Sequence, residues 1–171
     1  YPSSEFVIGK NMTEGTLNQT MPWLTTLCRA AAVDTLRDAL RRRYPGCVTG
    51  ELTQLAIVGA AGEGERLAAL CGESKIEVVA IGDDNPAKQG QTIGGCSVKP
   101  VDTLAGLKKI IPVVIASHRV LKAADRIRSM GFQTVVPFAL LQVTEPGVFP
   151  PHMFYDGWLE DLLANKDRYA A

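Results

Sequence analysis

Leu55-Ala56-Ile57-Val58-Gly59-Ala60-Ala61-Gly62-Glu63-Gly64-Glu65-Arg66-Leu67 decides the fold class. A short apolar run stops at a glycine, two more glycines follow closely, and a helical pattern begins. A continuous apolar run is the signature of a parallel strand buried on both faces. Gly59 permits a tight turn, and Gly62 and Gly64 let backbone N–H groups approach an anion at a helix N-terminus, where the dipole favours negative charge. The order is G-x-x-G-x-G, a looser relative of the dinucleotide fingerprint G-x-G-x-x-G. A phosphate cradle of residues 59–64, with Ala60, Ala61 and Glu63 between the glycines, stands against a plainer reading in which the glycines only bring helix close to sheet.

The same alternation continues outward. A strand at 54–58 leads to a helix from 62 to about 70 that Gly72 stops. IEVVAI at 76–81 is a second strand ending in Gly82-Asp83-Asp84-Asn85-Pro86. Gly90, Gly94 and Gly95 mark turns around a small strand. Residues 101–110 read as a helix, PVVIA at 112–116 as a third strand, 119–130 as a helix capped by Ser117 and closed by Gly131, and 133–138 as a fourth strand. Strands alternating with helices imply βαβ units, hence an α/β fold with a parallel sheet of at least four strands. Ahead of it, Thr20-Met21-Pro22 opens a helix over about 22–43 that Arg41-Arg42-Arg43 and Tyr44-Pro45-Gly46 end. Residues 1–19 carry no period.

Ligands of such sheets sit beyond the carboxyl ends of the strands. That edge gathers the glycine turn, Asp83 and Asp84, and Ser117 with His118 and Arg119. Asp83 lies 24 positions after Gly59. A carboxylate there can accept both hydroxyls of a ribose, and would repel a ribose 2′-phosphate, which argues against NADP. Asp-Asp-Asn-Pro is equally good turn chemistry. His118 could contact a phosphate or move a proton, Arg119 could pair with a phosphate, and Ser117 reads as a cap rather than a nucleophile because no G-x-S-x-G elbow surrounds it. Glu63 and Glu65 in the first helical turn suit the dipole but would oppose a diphosphate. No catalytic constellation emerges.

Composition sets the outer bounds. The 171 residues carry 46% hydrophobic and 21% charged residues with a formal net charge of zero. There is no basic excess to meet a nucleic-acid backbone, so that partner is not expected, and no run reaches membrane-span length. Cys28, Cys47, Cys71 and Cys96 form no C-x-x-C pair, which argues against zinc and for buried thiols in a reducing, cytoplasmic setting.

The C-terminal stretch adds a Pro-rich loop and an amphipathic helix with Leu159, Leu162 and Leu163 as its stripe. GAAGEGERLAAL (59–70), VVAIGDDNPAKQGQTIGGCSV (78–98), VVIAS (113–117) and FPPHMFYDGWLEDLLANKDRY (149–169) together resemble the Rossmann-like N-terminal region that precedes the catalytic domain of some FkbM-type S-adenosylmethionine-dependent methyltransferases. The first two pieces also resemble the nucleotide-sugar-binding domain of PglD-type sugar acetyltransferases and the nucleotide-binding domain of polysaccharide-biosynthesis dehydratases. Residues 1–50 match neither.

The resemblance implies a three-layer Rossmann-like domain over 51–143, an N-terminal extension over 1–50, and a linker with tail helix over 144–171. It implies a non-catalytic domain binding NAD or a nucleotide-sugar, with S-adenosylmethionine held by a separate catalytic domain. The site residues are Gly59, Ala60, Ala61, Gly62, Glu63, Gly64, Asp83, Asp84, Ser117 and His118, with no catalytic residue and no metal. Two alternatives remain: an NAD-dependent nucleotide-sugar oxidoreductase with His118 as proton donor, and an interaction module whose terminal helices at 22–43 and 155–169 serve a homodimer or a partner.

Overall fold

The computed structural model describes residues 32–47, 50–152 and 157–165. The chain divides into two compact units, one spanning 41–152 and the other formed by 1–40 with 153–171.

In the larger unit the central strand is β1 (Gln54–Val58). It leads into α2 (Gly62–Glu73), numbered after the N-terminal helix α1 (Val33–Arg43). Then come β2 (Glu77–Gly82), the hairpin β3 (Thr92–Ile93) and β4 (Cys96–Lys99), and a 3₁₀ helix at Val101–Gly106. β5 (Val113–Ile115), α3 (Val120–Ser129), β6 (Val135–Pro137) and α4 (Phe138–Thr144) complete it. The sheet order is β3-β4-β2-β1-β5-β6, parallel throughout except for the antiparallel β3/β4 pair. Counting parallel strands in chain order gives 3-2-1-4-5, the order of the doubly wound dinucleotide fold. The chain is therefore a Rossmann-like α/β sandwich, as the alternation of strands and helices implies.

Strands reverse direction of growth between β1 and β5, whose registers pair Val58 with Ile115. Alternation sends Ala56 and Val58 to one face, where they pack with Val101, Leu104, Ala124, Ile127 and Phe132. Leu55 and Ile57 serve the opposite face, which carries α2 with its buried Leu67, Ala68 and Cys71. Phe149 is 1% exposed and meets Phe138 edge-on at 6.1 Å between ring centroids. Both faces of β1 are dry, which is why its sequence is a continuous apolar run.

Several local expectations are corrected. Gly72 does not stop α2. The helix runs one residue further, and Lys75 takes the left-handed turn at φ 59° while Ile76 N–H donates back to Cys71 O at 2.8 Å. Residues 101–110 make only a 3₁₀ helix through Gly106. β4 joins the parallel sheet beside β2, because Gly94 and Gly95, both at positive φ, fold β3 back onto it. The fourth strand ends at Pro137, and Phe138 begins a buried helix that no periodicity announced.

In the smaller unit the described part of α5 (Trp158–Ala164) buries Leu159 and Leu163, with Leu162 half-buried. The expected start of the first helix near 22, the period-free residues 1–19, Cys28, and residues 155–156 and 166–169 of the expected tail helix lie outside the described residues. No described helix is long and apolar enough to cross a membrane.

Candidate functional site

The glycine turn follows β1 into the sheet edge where strand order reverses. Gly59 has φ +107°, and a Cβ there would overlap the carbonyl of Ala116 at the end of β5. A Cβ on Gly64 would overlap the carbonyl oxygen of Gly59. Gly62 faces open space. The two glycines that the packing requires are thus five apart, at the first and last places of the dinucleotide fingerprint, with Ala61 in the middle place: G-x-A-x-x-G. Gly64 brings helix to strand, and Gly62 is the first residue of α2. Ala61, extended at φ −92° and ψ −171°, precedes the helix with no side-chain cap. The first intrahelical bond runs from Glu65 N–H to Ala61 O at 2.9 Å, so the N–H groups of residues 62–64 point out of the helix end.

Glu63 and Glu65 each have a cationic or titratable neighbour. Glu63 Oε1 lies 3.2 Å from His152 Nε2, and Glu65 Oε1 lies 3.4 Å from Lys88 Nζ. The Lys88 ammonium offsets the charge of Glu65 and lessens the repulsion that carboxylate offers a phosphate. Arg66, one turn on, donates to the carbonyl of Pro150 and lies 5.9 Å from the centre of the Phe138 ring.

Asp83 sits at the end of β2. Its Oδ2 accepts the Ala60 N–H at 2.7 Å, and its Oδ1 accepts the Asn85 N–H at 2.8 Å. The carboxylate therefore ties the tip of one strand to the glycine turn of the next. Asp84 has a different task. It accepts the Val101 N–H at 3.3 Å and pairs with Arg126, whose other terminal nitrogen donates to Asp102 at 2.7 Å. These two carboxylates hold the Arg126 guanidinium further above its already high ordinary pKa.

A cleft of about 490 Å³ opens beyond β1, β2 and β5 on the α3 face. Gly59, Asp83, Asp84 and Ser117 line it, joined by Asn85, Val101, Arg119, Lys122 and Arg126. The other turn residues, 60–64, lie outside its lining, and so does His118, which is exposed. Ser117 does not cap α3: its Oγ accepts the Arg119 N–H at 3.3 Å in a local turn, and the helix starts at Val120. Lys122 and Arg126 escaped the sequence reading. The signal was present, since Arg119, Lys122 and Arg126 recur at three- and four-residue steps along one helix face.

No protein-family model matches the chain, and no curated protein matches it. Among solved structures it is similar to a Rex-family repressor, RSP. One structure of RSP is 18% identical with a TM-score of 0.45, covering 80% of this chain and 67% of that one. RSP in complex with β-NAD+ and operator DNA is 19% identical with a TM-score of 0.44, over 80% and 64% of the two chains. RSP in complex with β-NADH is 15% identical with a TM-score of 0.43, over 95% and 98%. The Rossmann-like class rests on strand order and the glycine turn. Nothing among these matches points to an FkbM-type methyltransferase or a PglD-type acetyltransferase.

Among the described residues no group of three or more His, Cys, Asp or Glu side chains is arranged to hold a metal ion. Cys47 and Cys71 are buried, free thiols whose pKa values burial pushes up to about 12.

Proposed function

We propose that the 51–143 domain binds a nucleotide or nucleotide-sugar, such as NAD or a UDP-sugar, without transforming it. A phosphate would lie at the N-terminus of α2 beside Ala61, and a ribose hydroxyl would donate to Asp83. The observation that carries this reading is the bond from Ala60 N–H to Asp83 at 2.7 Å. It holds a hydrogen-bond acceptor suited to ribose next to amides suited to phosphate, at the strand-order reversal where such folds bind ligands. A non-catalytic role is supported by the cleft's chemistry: among the described residues no tyrosine, histidine or cysteine lines it, and Asp84 and Arg126 are bound to one another. Zero formal net charge supports a small ligand over a nucleic acid.

Calorimetry with NAD, a UDP-sugar and S-adenosylmethionine tests the reading. One of the first two is expected to bind, and Ala61→Asp, an exposed site, to weaken it roughly tenfold or more by placing an anion beside the phosphate. No binding by any of the three overturns it. The association with a methyltransferase rests on the 149–169 resemblance alone, and reading the gene beyond Ala171 checks it.

A further inference from the structure

The charges that line the cleft do not cancel. Both oxygens of Asp83 accept backbone N–H groups, and Asp84, Asp102 and Arg126 form a closed cluster. Arg119 and Lys122 line the same cleft, and neither side chain has an ion-pair partner among the described residues. Two further donors adjoin them. The Asn85 carbonyl oxygen accepts the Ala87 N–H at 3.0 Å, which leaves its amide hydrogens to donate. Ser117 Oγ accepts the Arg119 N–H, which leaves its hydroxyl hydrogen free to donate. Two cations without an ion-pair partner among the described residues and two neutral donors exceed what an uncharged nucleoside half requires. They match a phosphomonoester, a dianion with several acceptor oxygens.

Resting on the nucleotide reading above, we propose that the ligand's ribose itself carries a phosphate on its 2′ or 3′ oxygen, held by Arg119 and Lys122. The remaining ribose hydroxyl donates to Asp83. The Asp83 carboxylate alone argues against such a ligand, as the sequence suggests. In the folded chain two N–H groups offset its charge, and Arg119 and Lys122 line the same cleft without ion-pair partners among the described residues.

The test is calorimetry on the full chain with 5′-AMP, 2′,5′-ADP, 3′,5′-ADP and inorganic phosphate. One bisphosphate is expected to bind at least tenfold more tightly than 5′-AMP, and which one identifies the phosphorylated oxygen. Replacing both exposed cations, Arg119→Gln with Lys122→Gln, is expected to abolish that preference and leave 5′-AMP affinity within twofold. The exchange Arg119→Lys with Lys122→Arg is expected to retain it. Equal binding of all three nucleotides, or a double variant that weakens them alike, overturns the inference while leaving a nucleotide site. Phosphate that binds as tightly as the bisphosphates also overturns it. Failure of every nucleotide, NAD included, overturns both readings.

Discussion

Three glycines within six residues carry unequal weight. Gly64→Ala drives a methyl into the Gly59 carbonyl and should cost more than about 2 kcal/mol, because backbone cannot move aside as a side chain can. Gly62→Ala meets nothing, and should be neutral or stabilise by up to about 1 kcal/mol through reduced unfolded-state entropy. Urea melts of the two variants check the pair, and similar losses at both positions would refute the assigned roles. The spacing of the glycines was legible in the sequence, whereas their division of labour was not. Which glycine lies under a carbonyl depends on how closely α2 crosses β1, and that is a tertiary quantity. Asp83 was legible for a related reason, since its position at a strand end follows from the apolar run before it. The bond it forms to Ala60 was hidden, because it joins neighbouring strands rather than neighbouring residues.

Elements were legible where their burial was uniform. β1 and β5 are dry and read as apolar runs, and β2, half-buried through its middle and buried at its end, reads as one too. β4 is four residues with one buried side chain, Val98, so it offered no run to read. α4 is buried over most of its length and begins directly after Pro137, so the sequence reads its first residue, Phe138, as the end of a strand and shows no helical period beyond it. The end of α2 was placed at Gly72 because glycine is the usual left-handed residue, yet Lys75 takes that conformation. A non-glycine residue there costs about 1–2 kcal/mol. Lys75→Gly should therefore stabilise the protein by about 1 kcal/mol, read as a raised urea midpoint with an unchanged slope. Destabilisation would mean that the lysine stem contributes packing that outweighs its backbone strain.

For the whole molecule, stability and titration are linked through the buried thiols. Cys47 and Cys71 have folded pKa values of about 12 against an ordinary 9.0. Above pH 9 the unfolded chain loses these protons before the folded chain does. The stability they confer is intact below pH 9 and is lost progressively as the pH rises toward 12. Denaturant melts between pH 8 and 11 should show this decline, and Cys47→Ala with Cys71→Ala should flatten it even though the variant is less stable overall. Ligand binding should act in the opposite direction. A nucleotide at a hundred times its dissociation constant adds about 2.7 kcal/mol to unfolding, visible as a concentration-dependent rise in melting temperature. The overall class was legible because alternation of strands and helices at this spacing leaves few topologies. The cleft's donor-rich lining was not, because Asn85, Ser117 and Lys122 come from two separate loops and a helix that only the strand order brings together.

Both outermost strands of the sheet are brief. β3 is two residues long and turned back by Gly94 and Gly95, and β6 is three residues long and closes on Pro137, which has no N–H to offer. A sheet with dry, β-branched central strands is a strong template for another chain's strand wherever its margin presents a long row of free amides. Here neither margin has the length to recruit one. The brevity of β3 and β6 guards the folded protein against growing edge to edge into aggregates.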